Sequence, residues 1–146
     1  MPKALVTLEL LDAFTEEFLR RHPGPTVVGL IGELGAGKTT FVRSVVENLA
    51  QGRSLPKVVS PTFTLHQTFA SLARPVEHFD LYRLENADRI TLIEVGYYDA
   101  LARAREKNGL VFVEWPSQAV DAGLLELDTT VSISIEMEGR SFQWVD

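Results

Sequence analysis

Gly32-Glu33-Leu34-Gly35-Ala36-Gly37-Lys38-Thr39 is the stretch from which the rest of the chain is read. It has the form G-x-x-x-x-G-K-[ST], the phosphate-binding P-loop. Glycines let the backbone turn tightly, so that successive N–H groups point inward and form a nest for an anion. The helix that follows turns its positive end toward the same point. In this pattern Lys38 reaches the β- and γ-phosphate oxygens, and the Thr39 hydroxyl is placed to coordinate Mg²⁺.

The neighbours of the loop fit that mechanism. Thr26-Val27-Val28-Gly29-Leu30-Ile31 is an apolar, β-branched run that predicts a buried strand, and Thr40 to Leu49 carries apolar residues at helical spacing. Upstream, Leu8, Leu11, Phe14, Phe18 and Leu19 predict an amphipathic helix over 8–21, closed by His22-Pro23-Gly24-Pro25. Downstream, residues 58–65 read as extended with a turn at Ser60-Pro61, 66–69 as a short strand, and 76–80 as a half-exposed alternating strand. Helices are predicted over 86–93, with Asn86 as the cap, and over 97–107. Leu110-Val111-Phe112-Val113 is a second buried strand ending in Glu114, Trp115-Pro116-Ser117 is a loop, and 131–145 folds back as a hairpin around Glu138-Gly139. The order predicts an α/β fold of the P-loop NTPase type. It is a three-layer sandwich whose mostly parallel central sheet carries an antiparallel C-terminal hairpin, with residues 1–146 as one P-loop ATPase domain.

Composition bounds the function. The chain has 146 residues, 45% hydrophobic and 23% charged, as in an ordinary soluble protein. It has no cysteine, which excludes a disulfide framework and thiolate chemistry. No apolar run reaches the roughly 20 residues that span a bilayer, and no signal-peptide pattern opens the chain. These features predict a cytoplasmic protein with no membrane partner. A formal charge of −6 argues against tight binding of DNA or RNA by this chain alone.

A P-loop ATPase needs a carboxylate for its metal, usually at the end of an apolar strand. Glu114 and Asp80 both qualify, and together they suit a shared Mg²⁺ better than two unscreened charges. Thr62, in Ser60-Pro61-Thr62, is placed to offer a hydroxyl to the metal or γ-phosphate, as switch loops do. Arg83 is a candidate for stabilising transferred charge, while His78 reads equally as a structural histidine. Trp115 is either a loop anchor or an exposed stacking group, and Gly139-Arg140 is a turn within reach of a nucleotide.

Four blocks of the chain resemble, in order, the TsaE (YjeE) family of small bacterial P-loop ATPases. They are Gly32 to Thr40, Ser60-Pro61-Thr62-Phe63, His78-Phe79-Asp80-Leu81-Tyr82-Arg83 and Glu114-Trp115-Pro116. The resemblance implies an ATPase supporting the formation of threonylcarbamoyladenosine at position 37 of tRNAs that read ANN codons. Its partners would be TsaB and TsaD, with tRNA contacted mainly through them. It also implies ATP and Mg²⁺ as ligands, with Thr39 and Glu114 on the metal and Asp80 a further candidate. Lys38, Thr62 and Asp80 would serve hydrolysis. The nucleotide would contact Gly32, Glu33, Leu34, Gly35, Ala36, Gly37, Lys38, Thr39 and Thr40, together with Ser117 and Gly139. Ser117 departs from the family, where an acid often follows Glu-Trp-Pro. Two other readings of the P-loop stay open. One is a small-molecule kinase, for which Arg103-Ala104-Arg105 is the arginine pair that a lid would need. The other is an ATP-gated adaptor that hydrolyses nothing.

Overall fold

Numbered along the chain, the elements are β1 (Lys3–Val6), α1 (Leu8–Arg21), β2 (Thr26–Ile31), α2 (Lys38–Ala50), β3 (His66–Phe69), β4 (Val76–Asp80), α3 (Arg89–Glu94), α4 (Tyr97–Glu106), β5 (Leu110–Glu114), α5 (Ser117–Asp121), β6 (Thr129–Glu136) and β7 (Gly139–Val145). They come from a computed structural model that describes residues 3–6, 8–33, 35–54, 57–59, 61, 64–84, 88–137 and 139–146. The strands form one sheet in the order β1-β7-β6-β2-β5-β4-β3. The inner four, β6, β2, β5 and β4, run parallel; β7 on one side and β3 on the other pair antiparallel with them, and β1 pairs antiparallel with β7. From β2 the chain builds β4 and β5 on one side and then crosses to β6 on the other. The C-terminal end of β2 is therefore the switch point of the sheet, where open α/β folds leave a crevice.

Both faces of the inner strands are covered, and the alternation of each strand shows how. On one face Leu110 and Phe112 of β5 join Val28, Leu30, Val131 and Ile133 under α1 and α2. On the other, Val111 and Val113 join Val27 and Phe79 under Leu92 of α3, Tyr97, Ala100 and Ala104 of α4 and Ala119 of α5. The first core is an aromatic cluster. The Phe41 ring lies 5.4–6.2 Å from those of Phe14, Phe18, Phe112 and Phe142, distances at which edge-to-face and tilted contacts are favourable. Among the described residues, no helix is long and apolar enough to cross a membrane.

The structure alters several expectations drawn from the pattern. Lys3–Val6, which carried no signal of its own, pairs with β7 as an edge strand. Ser117 opens a short helix and not a loop. The helix expected from Asn86 starts at Arg89, where the Asp88 carboxylate accepts the Thr91 N–H at 2.8 Å; Asn86 itself lies outside the described residues. The largest change is in β4. All five of its residues are buried, because helices cover both faces and β5 and β3 flank it. Its polar residues are inside because they have partners. Glu77 faces α4, where Arg103 donates from Nε (3.1 Å) and from a terminal nitrogen, and His66 and Thr68 lie alongside.

Two outcomes follow from this packing. Phe41→Ala opens a cavity among four rings and is expected to lower the unfolding free energy by about 3–5 kcal/mol, read from urea titration. At Glu77, burial pushes the carboxyl pKa up, but hydrogen bonds from His66, Arg103 and Thr68 outweigh it and hold it below the usual 4.5. A folded-state value below the unfolded one gives stability that is present above the unfolded value and lost as pH falls through the folded one. Urea titrations are therefore expected to show wild-type stability dropping more steeply below about pH 4.5 than that of Glu77→Gln.

Candidate functional site

The P-loop leaves β2 and enters α2 without a side-chain cap. Gly37 takes that place with φ 119°, a conformation costly to a residue with a Cβ. At Gly32 the constraint is space: a Cβ there would stand 2.7 Å from the Ile133 carbonyl oxygen and 3.2 Å from the Ala36 Cβ. The loop closes through Ala36 N–H to the Glu33 carbonyl at 3.0 Å and enters the helix through Phe41 N–H to the Gly37 carbonyl at 2.9 Å. Lys38 folds back across it. Its Nζ donates to the Gly32 carbonyl at 2.6 Å and lies 4.1 Å from the centre of the Trp115 ring. The residue is buried, and this desolvation lowers the ammonium pKa, against the pull of the Glu114 and Asp80 charges, which raise it.

Strand register explains why those two acids meet the lysine. Asp80 and Glu114 are direct partners where β4 pairs with β5, each the last residue of its strand. Alternation places them with Val76, Leu110 and Phe112 on the face covered by α2. Both are buried. The Asp80 carboxylate accepts the Tyr82 N–H at 2.9 Å, and the Glu114 carboxylate lies 2.6 Å from His78 Nε2. Leu81 N–H, bonded to the Glu114 carbonyl at 3.1 Å, continues the pairing one residue past β4. Trp115 then turns out of the sheet with φ 58°, and its ring lies 5.0 Å from that of Tyr82 in a tilted contact. Trp115 matches neither of its two readings: it is half-buried beneath the lysine, belongs to neither core and is not an exposed stacking group.

A cavity of about 500 Å³ adjoins the loop. Gly32, Glu33 and Ser117 line it, with Ile31, Trp115 and Ile135. This brings one of the more distant expected residues, Ser117, to the P-loop. Gly139 pairs with Glu136 at the hairpin and is not among the residues lining the cavity. Thr39 and Thr40 open α2, and Gly35 and Ala36 complete the loop. Leu34, Ser60 and Thr62 lie outside the described residues. Arg83 stands on the turn after β4. Arg103 lies on the opposite face of the sheet, occupied with Glu77, so it does not serve as a lid arginine over the P-loop. His78 is the site residue that pattern reading left undecided. The signal for it is parity: His78 and Asp80 are two apart on one strand and so share the α2 face.

The model of the family described as threonylcarbamoyl adenosine biosynthesis protein TsaE matches residues 5–142. The chain belongs to the TsaE family. The relative from Haemophilus influenzae is 29% identical over 147 residues, covering 99% of this chain and 86% of that protein. The Synechocystis relative is 32% identical over 116 residues, 78% of this chain and 69% of that protein. The Rickettsia felis relative is 36% identical over 89 residues, 61% of this chain, and the match spans about half of that protein (47%). Each bears the description tRNA threonylcarbamoyladenosine biosynthesis protein TsaE. The crystal structure of YdiB from Bacillus subtilis superposes with a TM-score of 0.66 at 22% identity, covering 98% of this chain and 81% of that one, a likeness of fold.

The residues of this TsaE chain fit a hard divalent cation that is shared with a phosphate. Two buried carboxylates end adjacent strands beside Lys38. Among the described residues no group of three or more histidines and acids is arranged to hold a metal unaided. Oxygen donors, one or two carboxylates and a shell completed by phosphate and water are the preferences of Mg²⁺. Gly32→Ala tests the loop itself. Its methyl group must displace the Ile133 carbonyl or the loop, so nucleotide affinity is expected to fall at least tenfold in a titration with a fluorescent ATP analogue, with a stability loss of about 1–3 kcal/mol.

Proposed function

We propose that the chain is an Mg²⁺-dependent ATPase that supports threonylcarbamoyl transfer to adenosine 37 of tRNAs reading ANN codons, in a cytoplasmic complex with TsaB and TsaD. The observation that carries the ATPase reading is the meeting of Lys38, Asp80 and Glu114 at the switch point of the sheet. Membership of the TsaE family supports the pathway, and the charge of −6 suits a protein that reaches tRNA through partners.

In this reading the P-loop amides cradle the phosphates, and Lys38 leaves the Gly32 carbonyl and the Trp115 face to meet them. Thr39 and Glu114 would hold the Mg²⁺, which when bound offsets the charge of the β- and γ-phosphate oxygens. Asp80, with one oxygen on the Tyr82 N–H, orients the attacking water, with Thr62 as the hydroxyl on the switch loop. The nucleoside side takes the cavity between Glu33, Ile135 and Ser117.

The test is ATP turnover and tRNA modification by the purified chain mixed with TsaB and TsaD. Lys38→Ala is expected to lower both by about 100-fold or more. Modification at the wild-type rate by Lys38→Ala would sink the proposal. Tight ATP binding with no turnover in the wild-type mixture would identify an adaptor instead.

A further inference from the structure

We propose that His78 is a positioning residue for Glu114: its Nε2–H holds one carboxylate oxygen, so that the other is presented in a fixed orientation to a divalent cation. The inference rests on the reading of Glu114 as a metal ligand.

The geometry is that of a buried diagonal pair. His78 is opposite Phe112 in the β4–β5 register, and Glu114 is two residues further on the same face. Nε2 and Oε2 are 2.6 Å apart, and the two residues are 0% and 3% exposed. A carboxylate oxygen only accepts, so Nε2 carries the hydrogen. The other ring nitrogen, Nδ1, is buried and has no partner among the described residues. A proton there would be a buried donor without an acceptor, so the geometry places the hydrogen on Nε2. A purely structural role explains this poorly. The ring sits in a layer with Val76, Leu110 and Phe112, where a phenyl group would fill the same space and leave no nitrogen unsatisfied. What the imidazole adds is one short bond to Glu114. Histidine–carboxylate pairs of this kind fix the orientation of groups around metals, here with the carboxylate as the ligand. Glu77, the other buried acid of β4, faces the opposite way with three donors of its own. That contrast shows the fold can pair a strand carboxylate with a cation away from the P-loop.

The experiment measures Mn²⁺ binding by electron paramagnetic resonance with a non-hydrolysable ATP analogue present. Analogue affinity in excess EDTA is measured in parallel, for wild type, His78→Phe, His78→Gln and Glu114→Gln. His78→Phe is expected to raise the Mn²⁺ dissociation constant about tenfold, the lower end of what such supporting partners contribute, with metal-free analogue affinity unchanged. His78→Gln, which keeps a donor near the Nε2 position, is expected to recover to within about threefold of wild type. Unchanged Mn²⁺ affinity in His78→Phe overturns the inference, as does an equal loss in both variants or a matching loss of metal-free affinity. If Glu114→Gln leaves Mn²⁺ binding intact, the metal role of Glu114 fails instead. Should neither His78 variant fold, long-range ¹H–¹⁵N correlations of the wild-type imidazole decide: an Nε2–H tautomer supports the inference and an Nδ1–H tautomer overturns it.

Discussion

The buried ammonium of Lys38 is the constraint around which this edge of the molecule is arranged. Removing it from water works against its charge, and the nearby carboxylates of Glu114 and Asp80 work for it. The remaining contacts come from the Gly32 carbonyl and the Trp115 ring. None of these contacts is beyond replacement. An ammonium is a compact charge on a flexible stem, and a carbonyl and a ring face are partners it can exchange for phosphate oxygens. The lysine is thus held in place by groups that belong to the loop and to the residue after Glu114. The loop, Trp115 and its Tyr82 neighbour are therefore linked through this one side chain.

That coupling depends on the strand order. Had β4 and β5 not been neighbours, Asp80 and Glu114 would not be register partners. Had the strands been antiparallel, their last residues would have ended at opposite edges. Parallel pairing also requires crossovers, and these supply the helices that bury both faces. The same feature that gathers the acids therefore withdraws water from them. The β7–β1 extension beyond β6 serves the other side: Phe142 and Trp144 of β7 close the core beneath α1, and Ile133 of β6 sets the space that forbids a side chain at Gly32.

How much of this the sequence disclosed follows from the range over which each feature is determined. The P-loop is local: eight consecutive residues carry its chemistry, and the flanking strand and helix were legible from apolar spacing. So were α1 and the buried character of β5. Strand-end acids could be picked out singly, but their adjacency is a property of strand order, which no local pattern encodes. The β4 stretch misled because three polar residues in five, Glu77, His78 and Asp80, normally mean a strand that meets water. Here all three are inside, and Glu77 and His78 are each matched by a residue distant in sequence, Arg103 in one case and Glu114 in the other. The edge strand β1 was invisible for a related reason: four residues are too few to show a period, and its partner lies at the far end of the chain.

The two faces of β4 then separate stability from chemistry within five residues. Toward α4, Glu77 is met by cationic and hydroxyl donors and its charge is compensated inside the protein. Toward α2, His78 and Asp80 share a face with Glu114, and the charges of Glu114 and Asp80 act on the Lys38 ammonium. This asymmetry sets the acids of the α2 face, beside Lys38, apart from the equally buried Glu77. The parity of a single strand thus separates an acid paired with Arg103 from those that face the P-loop lysine.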